Sequence, residues 1–380
     1  MTIVASMKVK DGLVLATDSM STIFTSDGKF LKSYSNTRKL FQFKDCPIGI
    51  MSWGLGNIGN RSIEGLLLDF TRKHYPEHER VDVKQVAEKF FVFIGEKYTE
   101  YFYPILSKTQ ESNRLTLKNL QTEKDQTEKR EEELSKRIES EEITEEEFNE
   151  YQTLENKIMF SNFRIVQLEQ TILQHSYKII MLDLLILGLK KLETSNESEL
   201  VEIEQALNSK DKEKDEIINK HKEQKINFLK LDNLGILIGG YTDGSQFTEQ
   251  YEFLLPADLN IKEVMSNDNF GPSWRGVREV FDRLYFGLDL NIYTDLKLKN
   301  VDDGILDEVF FSSKYNMDFE FTCMPLKEAI SFVIFILKTT ISASYFMKGA
   351  PPCGEPIQLV VISPYEKDKW QWVHNLDLTE

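Results

Sequence analysis

Three residues near the start of the chain have the types and the order that acyl-transfer chemistry needs. Thr2 follows the initial methionine, Asp18 closes "LVLATD", and Lys39 stands in "NTRKLFQF". A threonine at a free N-terminus is nucleophile and base in one residue. Its hydroxyl attacks a carbonyl, and its own α-amine, with an ordinary pKa of ~7.7–8.0, takes the proton. The mechanism requires removal of Met1, which a small side chain at position 2 permits. A lysine close by keeps the amine neutral and depresses the pKa of the hydroxyl, and an aspartate orients that lysine. Backbone N–H groups at a glycine turn complete such a site by receiving the oxyanion. "PIGIMSWGLG" offers Gly54 and Gly56 for this.

Positioning these groups requires paired strands. "TIVASMKV" and "LVLATDS" are strand-like runs joined by Lys10-Asp11-Gly12, a hairpin signal because glycine tolerates positive φ, and the hairpin lays Asp18 beside Thr2. "PIGIMSWG" is a further apolar strand. "SIEGLLLDFTRKHY" and "VDVKQVAEKFFVFIGEKYTEYF" follow with apolar residues at helical spacing. From 107 to 230 glycine and proline nearly vanish. Thr144 and Glu147 form a capping box, with Ile143 and Phe148 placed as a hydrophobic staple. Tyr151, Leu154, Ile158, Ser161, Ile165, Leu168, Ile172, His175, Ile179, Leu182, Ile186 and Leu189 then alternate by threes and fours, a heptad seam. This predicts an antiparallel helical hairpin or three-helix coil, with His175 as a core position rather than a ligand. From 231 the pattern returns to α/β. "LGILIGGYTDGSQFTEQYEFLL" reads as strand, Asp243-Gly244 turn and strand, and "GPSWRGVREVFDRLYFG" as a loop leading into a helix. "PLKEAISFVIFILKTTISASYFMKG" reads as a buried helix, and "EPIQLVVISP" and "KWQWVHNL" as strands. The expected division is therefore 1–106, first core segment; 107–230, helical insertion; 231–380, second core segment. Its class is a layered α+β fold.

Composition narrows the partners. A formal net charge of −16 argues against nucleic acid, whose phosphates call for excess Lys and Arg. Three widely spaced cysteines, Cys46, Cys323 and Cys353, read as reduced thiols of a cytoplasmic protein. No secretory signal is recognisable. "FVIFILKTTISASYF" is broken by Lys338 and "IIMLDLLILGL" by Asp183, so neither reads as the ~20 apolar residues of a membrane span. His74 and His78 flank a proline in "HYPEH" without a third ligand, so no metal or other cofactor is expected. No glycine loop for ATP of the G-x-x-x-x-G-K-[ST] type is recognisable.

"TIVASMKVKDGLVLATDSMST" with "NTRKLFQFKDCPIGIMSWG" resembles the start of a proteasome β-type subunit of the N-terminal-nucleophile (Ntn) hydrolase superfamily, of the bacterial or archaeal proteasome-like kind. The likeness runs over residues 2–105 and more loosely over 233–364. It implies a four-layer αββα sandwich, here interrupted by a coiled-coil insertion foreign to the family pattern. It implies Thr2 as nucleophile and base, Asp18 as orienting acid and Lys39 as charge partner. Thr22 falls where the family binds substrate backbone, and Met51 and Leu55 where it lines the primary side-chain pocket. Trp53, beside Gly54, falls where the oxyanion N–H belongs and glycine is usual. Ser273 of "FGPSWRG" falls at the family's later serine. Met20 replaces an arginine, and Ala350 and Cys353 replace the aspartate and serine of an Asp-x-x-Ser-Gly element. Cys353 reads as a small packing residue, with a reactive thiol as its alternative.

The expected function is thus a threonine-type peptidase or amidohydrolase that forms a homo-oligomeric ring. Its substrate would be a peptide or unfolded protein, with a separate ATPase or a coiled-coil partner. Two other readings stand beside it. One is an inactive proteasome-like scaffold whose coiled coil mediates interaction; the other is an Ntn amidase acting on small molecules.

Overall fold

The computed structural model describes residues 2–24, 30–76, 81–140, 144–223, 233–242, 244–266, 269–287, 292–293, 296–297, 301–311, 319–365 and 369–374. Met1, His78, Ile143 and Asp243 lie outside them. The strands are β1 (Ile3–Val9), β2 (Gly12–Asp18), β3 (Ser21–Phe24), β4 (Phe30–Tyr34), β5 (Leu40–Gln42), β6 (Ile48–Gly54), β7 (Asn57–Ile58), β8 (Arg61–Ser62), β9 (Leu234–Gly240), β10 (Glu249–Leu255), β11 (Lys262–Glu263), β12 (Gly271–Gly276), β13 (Ile357–Ile362) and β14 (Trp370–His374). The helices are α1 (Ile63–His74), α2 (Val83–Glu139), α3 (Glu145–Glu193), α4 (Glu197–Glu223), α5 (Glu279–Tyr285), α6 (Asp303–Phe311) and α7 (Leu326–Ser344). They divide into two compact units. One comprises Met1–Ile94 with Asp232–Glu380, the other Gly95–Leu231, so the boundary falls inside α2.

The first unit contains two five-stranded antiparallel sheets, ordered β12-β1-β2-β13-β14 and β11-β10-β9-β6-β5. β1 is buried on both faces, so its alternate residues enter different clusters. Ile3, Ala5 and Met7 pack with Ala329, Val333, Ile336 and Leu337 of α7 and with Phe281 of α5. Val4 points the other way and joins Leu13 and Leu15 against Leu40, Met51 and Leu237 of the second sheet. The second sheet also meets helices: Phe253 of β10 lies edge-on to Phe91 of α2 at 5.1 Å, and Phe90 packs on Phe70 of α1 at 4.9 Å.

Two local expectations are corrected here. The stretch expected as a loop, Gly271–Gly276, is a strand at the edge of the first sheet. An edge position tolerates Pro272, which has no N–H to give, and that proline hid the strand. The β1–β2 hairpin forms as expected, with Val9 opposite Gly12. Gly12, however, owes its identity to close approach rather than to positive φ, since a Cβ there would lie 2.7 Å from the carbonyl oxygen of Ile362.

The pattern "VDVKQVAEKFFVFIGEKYTEYF" opens a single 57-residue helix, α2, which runs on past the expected division at 107 and carries Pro104 in its interior. Arg130 reaches both oxygens of Glu150, at 3.1 and 3.2 Å, and Gln110 donates to Ser176 at 2.6 Å. Rising positions on α2 thus meet falling positions on α3, and the pair is antiparallel. The capping box at Thr144 and Glu147 starts α3. From Tyr151 to Leu168 the heptad positions are the shielded ones, while Met159, Phe160, Phe163 and Val166 are exposed. Farther on α4 covers a second face, bonded through Lys191–Glu204 at 2.8 Å and Lys210–Asp183 at 2.9 Å. His175 sits on the seam within 3.2 Å of Asn113, and burial lowers its pKa, which favours the neutral ring. The most apolar 18 residues of α3 reach a mean hydropathy of 1.4, enough by length and composition alone to cross a membrane. A run-length criterion misses this, because Asp183 interrupts the run while the ion pair with Lys210 accommodates its charge.

Candidate active site

β1 and β2 place Thr2 and Asp18 side by side, since Val4 pairs with Thr17 and the next step brings the strand ends together. Asp18 is fully buried, and both its oxygens are used. Oδ1 accepts from Ile3 N–H at 3.1 Å, and Oδ2 accepts from the N–H groups of Met20 and Gly354, each at 3.1 Å. Lys39 enters from the start of β5. Its Nζ donates to Asp18 Oδ1 and to Thr2 Oγ1, both at 2.9 Å, and to the Met20 carbonyl at 2.5 Å. Threonine, lysine and aspartate therefore form one hydrogen-bonded chain.

Burial acts on the two charges in opposite directions. It raises the pKa of Asp18 and lowers that of Lys39, and each charge partly restores its partner. A lysine whose proton is loosened by burial, 2.9 Å from a hydroxyl, is suited to lower the cost of forming an alkoxide there.

Gln358 holds the chain in place from β13. Its Oε1 accepts from the N–H groups of Lys39 and Leu40, at 3.2 and 3.3 Å, and its Nε2 donates to Ser19 Oγ at 2.8 Å and to the Thr37 carbonyl at 3.0 Å. Sequence reasoning missed this residue. The available signal was a lone amide in the otherwise apolar "PIQLVVI". Gly354 was likewise missed, because only its backbone N–H acts on Asp18.

Thr2 and Lys39 open onto a cleft of about 480 Å³ that is also lined by Thr22, Phe41, Trp53, Gly54 and Leu55. Arg38 and Glu64, paired at 3.3 Å, line it as well. Two anticipated residues are not there. Met51 is fully buried one pleat deeper than Trp53, in the cluster between the sheets. Ser273 lies on β12 opposite Ser6, while Ile3 is opposite Gly276 and the Thr2 carbonyl accepts from Val277 N–H at 2.8 Å. The residues beside Thr2 are thus Gly276 and Val277, three to four positions beyond the serine.

The N–H expected at Trp53 is also redirected. Ser52 N–H donates to the Lys39 carbonyl, toward β5, and Leu55 N–H donates to the Asn233 carbonyl, toward β9. Successive N–H groups of a strand alternate in direction. Trp53 N–H is therefore aimed at β9, and Gly54 N–H at the Lys39 side.

Cys353 has no exposure. Ser344 Oγ donates to its carbonyl at 2.9 Å, and burial pushes its thiol pKa up to about 12. These facts favour a packing role. In the folded protein at pH 8, iodoacetamide is expected to alkylate the exposed Cys323 and to spare Cys353 until denaturant is added, as peptide mass mapping would read. Ala350 is half-buried and Met20 contributes its backbone to both Asp18 and Lys39. No group of three or more potential metal ligands occurs among the described residues.

No family model and no curated protein sequence matches the chain. Among solved structures it is similar to an Anbu mutant from Hyphomicrobium sp. strain MC1, at 11% identity over 98% of this chain and 86% of that one, with a TM-score of 0.32. A score of that size does not establish a shared fold.

Proposed function

We propose that the chain is a threonine-type Ntn hydrolase that cleaves peptide or other amide bonds after removal of Met1. The observation that carries this reading is Lys39 Nζ, placed 2.9 Å from both Thr2 Oγ1 and Asp18 Oδ1 at the wall of a cleft. In this reading the Thr2 hydroxyl attacks the carbonyl and its proton passes to the freed α-amine. Lys39 steadies the developing alkoxide and Gly54 N–H receives the oxyanion. The leaving amine takes the proton, and water then hydrolyses the Thr2 ester. Helices packed against both sheets, and the sheets packed against each other, support the four-layer αββα sandwich as part of the proposal. Assembly into a cytoplasmic ring of identical subunits also belongs to it, with the helical unit as the element that recruits or assembles partners. Electron microscopy of the purified particle tests the ring.

The decisive experiment is covalent labelling. A peptide epoxyketone captures a hydroxyl and an α-amine of one residue together. It is expected to add to wild type at the mature Thr2 and not to Thr2→Ala, as read by intact and N-terminal mass spectrometry. Retention of Met1 on the purified protein, or labelling that persists in Thr2→Ala, would sink the reading. The scaffold reading would then gain, favoured by Ala350 and Cys353 at positions where the family pattern has an aspartate and a serine.

A further inference from the structure

Trp53 is the largest side chain on the cleft wall, and its placement depends on the residue directly across the β6–β9 pair, Gly235. A Cβ built on Gly235 would lie 1.9 Å from Trp53 Cε2, 2.3 Å from Cζ2 and 2.4 Å from Nε1. The indole therefore lies over the bare backbone of residue 235, which is the aromatic cover of a strand glycine. One side of the ring packs on the cluster of Leu40, Met51 and Leu237, and the remainder borders the cleft that Thr2 and Lys39 share. Any side chain at 235 must displace the ring. The cluster beneath is buried, and the open space that borders the ring is the cleft, so the ring is expected to move into it.

We propose that Trp53 is the specificity-determining wall of this cleft and that Gly235 is the positioning residue that keeps the indole back. The substrates admitted are amides whose acyl-side residue, next to the scissile carbonyl, is small, and the indole excludes bulky aromatic ones. This assignment rests on the hydrolase reading for its reacting atoms, and on the Trp53–Gly235 contact for its selectivity.

The test compares second-order labelling rates for three peptide epoxyketones that differ only in the residue beside the warhead: alanine, leucine or naphthylalanine. Wild type is expected to favour alanine over naphthylalanine by at least ~10-fold, the scale on which a hydrophobic wall discriminates. Trp53→Leu is expected to lower that ratio about 10-fold, and Gly235→Ala to raise it by a similar factor. The double variant should return the ratio to that of Trp53→Leu alone. Loss of structure would depress all three rates together and leave the ratio unchanged. A ratio that stays within about twofold across folded variants would overturn the proposal.

A second arm removes the chemistry. On a Thr2→Ala background, the same peptides as methylamides are titrated for equilibrium binding. The same size order, relieved by Trp53→Leu, is expected. If wild type is labelled by none of the probes, the hydrolase reading fails and this arm alone judges the wall. Binding without a size order, or no binding, overturns it.

Discussion

Lys39→Met is expected to slow epoxyketone labelling of Thr2 by about 10²–10³-fold, the range ascribed to one preorganised donor that steadies developing negative charge. It is also expected to destabilise the fold by about 3–5 kcal/mol, because Asp18 is left buried without its cation. The two effects separate in Asp18→Asn/Lys39→Met. Asparagine at 18 removes the stranded charge, so the double variant should lose less stability than the two single variants sum to, while labelling stays slow. The pH dependence has a definite sign. Burial raises the folded-state pKa of Asp18, and Lys39 is the charge that pulls it back. Without Lys39 the folded protein holds this proton to higher pH than the unfolded chain does. Stability then falls as pH rises between the unfolded and folded values. Denaturant titrations should show the deficit of Lys39→Met shrinking on acidification toward pH ~4 and widening at neutrality. A folded Lys39→Met that labels at the wild-type rate would remove this lysine from the mechanism.

Gly276→Ala is the second large effect. Gly276 has φ +84°, and a Cβ there would stand 1.8 Å from the Thr2 carbonyl oxygen. That oxygen is the acceptor for Val277 N–H, so relief of the clash moves Thr2, the proposed nucleophile. The left-handed backbone adds about 1–3 kcal/mol for any residue with a side chain. A displacement of ~1 Å at a reacting group costs on the order of 10²-fold in rate. We expect Gly276→Ala to fold with a lower melting temperature and to label at Thr2 at about one hundredth of the wild-type rate. Ser273→Ala is the paired control. Ser273 lies three positions along β12 and away from the cleft, so its labelling rate should stay near wild type. A large loss in Ser273→Ala with little loss in Gly276→Ala would mean that the serine acts on Thr2 after all.

What was legible in the sequence was local. The β1–β2 hairpin is written in two strand-like runs and the Asp-Gly turn between them, and it places Asp18 beside Thr2. The start of α3 is written in its capping box, and the shielded stripe from Tyr151 to Leu168 in its heptads. Lys39 was recognisable by its order before an apolar strand, although its 2.9 Å approach to both partners was not. Pairing between distant segments decided the rest. Gln358 bonds Lys39 across 319 residues of chain, and Gly354 bonds Asp18 across 336. The β1–β12 register put Gly276 rather than Ser273 beside Thr2, and strand alternation turned Gly54 N–H rather than Trp53 N–H toward the site. A one-residue choice of register leaves little trace in composition or periodicity, yet it exchanges which backbone group faces a cleft. The chain by itself therefore determined which residues were capable of the chemistry. The tertiary structure decided which of them meet, because only packed sheets fix registers between strands far apart in sequence.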